Sequence, residues 1–124
     1  MKTRLFAAAV LGLSALSFNA AMAHGNAQAR HGGVAVMASD LGFELVATAA
    51  GVAIYIEDHG KPLAPTGMSG KLTVLNGAEK SEAELVVSGG KLEAKGVRLA
   101  AGAKVVAAIT TPAKKAITVR FTVK

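Results

Sequence analysis

Lys104-Val105-Val106-Ala107-Ala108-Ile109-Thr110 and, after Pro112 to Lys115, Ile117-Thr118-Val119-Arg120-Phe121-Thr122-Val123-Lys124 read as two strands of opposite direction. In the first, Val105, Ala107 and Ile109 share one face and Lys104 and Thr110 the other. In the second, Ile117, Val119, Phe121 and Val123 alternate with Thr118, Arg120, Thr122 and Lys124. A period of two is the signature of a strand with one face on a core and one in water.

The same period runs upstream. Phe43, Leu45 and Ala47 alternate with Glu44 and Val46, and Val52, Ile54 and Ile56 with Ala53, Tyr55 and Glu57, which makes Thr48 to Gly51 a hairpin turn. Lys71 to Leu75 and Glu82 to Val87 flank Asn76-Gly77, a strong turn signal. In the second of these strands Ala83, Leu85 and Val87 fall on one face. Gly89-Gly90 reverses the chain into Leu92 to Lys95, and a glycine-bounded segment from Gly96 to Gly102 follows. Short strands at this spacing, with no helical stretch, predict an all-β fold: an immunoglobulin-like antiparallel sandwich of about seven or eight strands, with a small barrel as the alternative.

The amino terminus carries a different message. Lys2 and Arg4 precede an apolar run from Leu5 to Phe18, and Ala21-Met22-Ala23 offers small residues where a signal peptidase reads. The run is too short for a membrane-crossing helix, which takes about twenty residues. The expectation is a cleaved signal peptide over 1–23, a flexible leader over 24–33 and a β-sandwich domain over 34–124, not membrane-spanning once processed. Removing 23 of the 124 residues leaves 101, enough for one domain and one core. It also removes Lys2 and Arg4, so twelve Lys and Arg face eight Asp and Glu, a charge of +4. There is no cysteine, so an exported chain holds together without disulfides and thiol catalysis is excluded.

Several function classes fall away. The lysines are scattered, and after residue 23 the aromatic residues are Phe43, Tyr55 and Phe121 alone, a poor set of stacking platforms for nucleic acid. No Gly-x-Ser-x-Gly elbow occurs, and in Gly67 to Lys71 the glycine spacing and the following Leu72 break the phosphate-loop pattern. Asp58 and His59 are adjacent, and in an extended segment they point to opposite faces, the wrong geometry for an acid that orients a base. The expectation is a protein that is not an enzyme.

Metal binding is the leading chemistry. Cleavage after Ala23 makes His24 the first residue, with an α-amino group and an imidazole on one residue. A further imidazole from His31 or His59 completes a three-nitrogen set suited to Cu(II). Met37 and Met68 are soft thioethers that favour Cu(I). The plainer alternative leaves His24 and His31 as solvated leader residues, His59 as a turn residue, Met37 as core filler and Met68 as a loop residue. Asp58-His59-Gly60-Lys61-Pro62-Leu63-Ala64-Pro65 is the most distinctive internal string. Its two prolines remove backbone donors, so it reads as an extended, poorly paired connection between sheets.

The strings His31-Gly32-Gly33, Phe43-Glu44-Leu45-Val46, Tyr55-Ile56-Glu57-Asp58-His59-Gly60-Lys61-Pro62, Lys71-Leu72-Thr73-Val74-Leu75, Leu92-Glu93-Ala94-Lys95-Gly96 and Val119-Arg120-Phe121-Thr122 resemble small exported β-sandwich proteins of Gram-negative bacteria. They are also similar to the amino-terminal sandwich domain of some periplasmic adaptor subunits of heavy-metal efflux pumps. The likeness covers nearly all of the chain after residue 23. It implies a periplasmic location and a role in copper or other heavy-metal handling, with an efflux-pump component or other envelope protein as partner. The sequence shows no helical-hairpin, lipoyl-like or membrane-proximal part of an adaptor, and the expectation is that it does not act as one by itself. Of the candidate ligands, His31 and His59 fall inside matching strings, whereas His24 rests on the cleavage argument. The expected function is a periplasmic metal-binding accessory, with copper as the expected ion. A metal-free module that docks a larger envelope complex is the competing expectation.

Overall fold

The computed structural model describes residues 27–124. Residues 1–23, read above as a signal peptide, and His24 lie outside them. Nine antiparallel strands make up the described chain: β1 (Val34–Ala38), β2 (Leu41–Ala47), β3 (Gly51–Asp58), β4 (Lys61–Pro62), β5 (Ser69–Asn76), β6 (Glu79–Ser88), β7 (Lys91–Lys95), β8 (Lys104–Thr110) and β9 (Ala116–Thr122). No helix occurs among the described residues.

Tight turns set the register. β1 and β2 meet through Ser39-Asp40, β3 and β4 through His59-Gly60, and both residues of each loop have positive φ. That is the backbone of a type I′ turn, whose twist matches that of the strands it joins. Gly77 and Gly89 take positive φ at the first loop position of the next hairpins. Thr48 and Gly51 close the β2–β3 turn with reciprocal backbone hydrogen bonds of 2.9 and 3.3 Å.

Neighbouring strands run in the order β1-β2-β3-β7-β6-β5-β8-β9, with β4 beside β3. β6 is the joint. As far as Leu85 it pairs with β5, and from Val86 to Ser88 it pairs with β7. The sheet therefore curls on itself, bringing the end strands β1 and β9 against each other and leaving it nearly closed. Inside lie Phe43, Leu45, Ile54, Leu72, Leu85, Leu92, Val105, Ile109, Val119 and Phe121, all nearly inaccessible to water.

Three details depart from the sequence reading. The β1 strand lies where no periodic strand stood out, because it is short and Val34, Val36 and Ala38 are only partly buried against the core. Val87 does not share the buried face of Leu85; it and Val86 are both exposed, since β6 changes partners at that point. The Lys61–Pro62 stretch is paired: it forms β4 on the edge of β3, and Leu63 N–H donates to the Ile56 carbonyl at 2.8 Å. Pro62 is tolerated because β4 is an edge strand of two residues. Pro65 is fully buried.

Candidate functional site

Strand alternation turns Ala35 and Met37 of β1, Gly42 and Glu44 of β2, and Tyr55 and Glu57 of β3 to the outer face of the sheet. The register aligns them in two cross-strand rows, Ala35–Glu44–Tyr55 and Met37–Gly42–Glu57. Adjacent rows on one face are about 7 Å apart along the strands. Residues 27–33 run back over this face before the chain enters β1.

Glu44 is held beneath them. It is 5 % exposed although it points away from the core. A carboxylate cut off from water is stable only when its oxygens are bonded, and here four bonds come from the residues above. Oε1 accepts the Arg30 amide at 3.0 Å, and Oε2 accepts the amides of His31 and Gly33, each at 2.8 Å. The His31 ring adds a fourth bond, Nδ1 to Oε1 at 2.9 Å. Burial pushes the Glu44 carboxyl up, but the bond from the His31 ring and the amides of Gly33, Arg30 and His31 outweigh it, so Glu44 titrates below its ordinary value.

An ionised carboxylate only accepts, so Nδ1 of His31 donates to it and Nε2 lies on the opposite side of the ring. The ring lies flat on Tyr55, with centroids 3.6 Å apart and planes 8° from parallel, and its side chain is 43 % exposed. Beside it the Arg30 guanidinium donates to Glu57. A groove of about 380 Å³ opens here, lined by Ala27, Arg30, His31, Glu44, Tyr55 and Glu57 among others.

The approach of residues 27–33 to β2 requires glycine at one point. A Cβ on Gly33 would sit 2.1 Å from the Leu45 carbonyl oxygen. Without a side chain, the Gly33 amide reaches Glu44. The segment read from sequence as a flexible leader thus supplies four donors to one buried carboxylate.

His59 stands at the tip of the β3–β4 hairpin with φ 53°. Its Nδ1 bonds Asp58 Oδ1 at 2.6 Å, and its side chain is 89 % exposed. The sequence reading of Asp58 and His59 as pointing apart is corrected. That reading assumed extended backbone, and the left-handed turn at His59 swings the ring back over its neighbour. The turn also abuts the leader: a Cβ on Gly60 would lie 3.8 Å from Arg30 Nη2.

The Arg30 guanidinium thus lies beside the His59-Gly60 turn, while the His31 ring rests on Tyr55, each imidazole bonded to its own carboxylate. Among the described residues no three His, Asp or Glu side chains are grouped so as to hold an ion. Met37 points outward and is 41 % exposed, so it is not core filler, whereas Met68 packs against the core. Sequence reasoning missed Glu44, Tyr55, Arg30 and Glu57. An outward Glu in an alternating strand gives no sign that a distant segment will cover it.

Comparison of the chain with protein-family models, with curated proteins and with solved structures finds no match. Among the described residues no helix is long and apolar enough to cross a membrane.

Proposed function

We propose that the chain is exported to the periplasm by residues 1–23 and works there as a metal-binding accessory in heavy-metal handling, with copper as its ion and His24, His31 and His59 as ligands. In this reading the curled sheet is a flattened, immunoglobulin-like sandwich, and an efflux component or other envelope protein receives or supplies the ion. One observation carries the proposal: Glu44 accepts a hydrogen bond from Nδ1 of the His31 ring, which leaves Nε2 directed away from the carboxylate. Histidines that ligate metals are typically oriented in this way, by a carboxylate that fixes the tautomer and raises ligand basicity.

Two further features support it. Asp58 holds His59 in the same manner. Ala27 lines the groove beside His31, and the three residues from there back to His24 span at most about 10 Å. In this proposal the α-amino group and ring of a processed His24 join the His31 Nε2, since amine plus two imidazoles suit Cu(II).

Tyr55 makes the test direct. It is the only tyrosine in a chain without tryptophan, and it stacks on the candidate ligand. Cu(II) bound at His31 should quench its fluorescence stoichiometrically and raise the melting temperature by linkage. Both effects should disappear in His31→Ala, and they should weaken when an extra residue precedes His24. Unquenched tyrosine and unchanged melting with Cu, Zn, Ni and Co would reject the metal reading. The docking module would then remain, for which Val86 and Val87, exposed where β6 leaves β5, offer a strand edge.

A further inference from the structure

We propose that the pole of the sheet formed by the β2–β3 turn, the β5–β6 turn and the 96–102 loop docks the protein on the surface of an anionic phospholipid bilayer. None of the proposed metal ligands takes part.

Strand register gathers at this pole basic residues that lie far apart in the sequence. Lys80 and Lys104 flank Leu75 in one cross-strand row, just before β5 ends at Asn76. Lys95 pairs with Gly51, where β3 begins. Arg98 lines the cleft beside Thr48, Ala49 and Ala50, and Lys124 lines a neighbouring cleft with Ala47 and Leu99. Asn76 ties the two halves of the pole together: its Nδ2 donates to the Arg98 carbonyl at 3.1 Å, and its Oδ1 accepts the Ala100 amide at 3.2 Å.

The charge of the molecule is lopsided as a result. Lys80, Lys95, Arg98, Lys104 and Lys124 are five of the twelve basic residues after residue 23, and against them the pole holds Glu79, one of the eight acidic residues. The other seven basic and seven acidic residues balance, so the whole net charge of +4 resides at this end. All five basic residues are exposed. Lys80 stands 3.6 Å from Glu82, and the Lys104 ammonium donates to the Thr122 hydroxyl at 3.2 Å. Lys95, Arg98 and Lys124 enter no ion pair among the described residues.

The layout of these charges selects the partner. They come from separate segments spread over the pole, which suits a plane of many phosphates better than one small anion. Each Lys or Arg near an anionic leaflet adds to the attraction, which fades within a Debye length. Apolar atoms lie among the cations: Leu75 is 39 % exposed between its two lysines, and Ala49 and Ala50 are exposed at the turn tip. Such groups enter the headgroup boundary while lysine heads stay at the phosphates. Nucleic acid fits less well, because Phe43 and Phe121 are buried and Tyr55 is covered by His31, leaving no base-stacking platform at the pole.

Cosedimentation with lipid vesicles tests the proposal. The processed chain is mixed with vesicles of equal parts phosphatidylglycerol and phosphatidylcholine, and with vesicles of phosphatidylcholine alone. Wild type is compared with Lys95→Glu/Arg98→Glu and with Lys114→Glu/Lys115→Glu, which changes net charge equally in the turn between β8 and β9 at the opposite end. Urea midpoints confirm that both variants fold. Binding to the anionic vesicles should fall about tenfold or more in the first variant and stay within about threefold in the second, with none to phosphatidylcholine alone. Exchange of chloride for inorganic phosphate at equal ionic strength should leave binding unchanged. Equal losses in the two variants, or no binding of wild type to anionic vesicles, would overturn the docking pole. Displacement by inorganic phosphate, or tighter binding to duplex DNA than to the anionic vesicles, would overturn the assignment to a bilayer surface.

Discussion

Glu44 shows how much one side chain can carry when its surroundings are closed. Glutamine has the same shape, yet in Glu44→Gln the amide nitrogen would face N–H donors that the carboxylate now accepts. Leaving buried donors unpaired costs about 1–3 kcal/mol each time it occurs. Glu44→Gln should therefore lose about 2–3 kcal/mol of unfolding free energy at neutral pH, measured by urea denaturation. A loss under about 0.5 kcal/mol would mean that residues 30–33 do not rest on this carboxylate. His59 gives the opposite case. Asparagine is favoured over histidine at the first position of a type I′ turn followed by glycine, and Gly60 follows here. His59→Asn should hold or slightly raise stability, by up to about 0.5 kcal/mol, while Cu(II) affinity falls under the proposed ligand set. Unchanged Cu(II) affinity in this variant would remove His59 from that set.

At the level of elements, much was legible beforehand because β-periodicity is a local signal. β2, β3, β5, β8 and β9 stand where apolar residues alternate, and the reversals at Thr48–Gly51, Asn76-Gly77 and Gly89-Gly90 fall where turn residues do. What escaped was non-local. β1 is made a strand by pairing with β2. The exposure of Val87 follows from β6 exchanging β5 for β7, which no single-strand pattern records. The site is illegible for the same reason, since His31 and Glu44 meet only once residues 27–33 lie across the outer face. The β1–β2 turn offers a prediction at this scale. Ser39 and Asp40 both adopt left-handed backbone, φ 49° and 64°, where Asn-Gly is the preferred pair. Ser39→Asn with Asp40→Gly should stabilise the protein by about 1 kcal/mol, read as a raised urea midpoint at unchanged slope. A lowered midpoint would show that one of the native side chains makes a contact worth more than the backbone strain.

Across the whole molecule, acid sensitivity should follow from the two carboxyls held below their ordinary value of 4.5, Glu44 and Glu82. A carboxyl whose folded pKa is depressed contributes stability above its unfolded value, and that contribution is lost as pH falls through the folded value. Stability should thus be level above about pH 5 on account of these groups and decline below about pH 4.5. The two differ in kind. Glu82 is lowered by a hydrogen bond and charge from Lys71, with Lys80 adding to it, on an open strand face where salt screens the attraction. Glu44 is lowered by the His31 ring and by fixed amide donors under cover, which salt reaches far less. Melting curves from pH 7 to pH 3 at low salt and at about 0.5 M salt separate them: the part of the acid decline that survives salt should be absent in Glu44→Gln and present in Glu82→Gln. If salt abolished the whole decline, or if Glu44→Gln kept it, the buried carboxylate would not be what ties residues 30–33 to the sheet. The groove would then have no fixed imidazole to offer an ion.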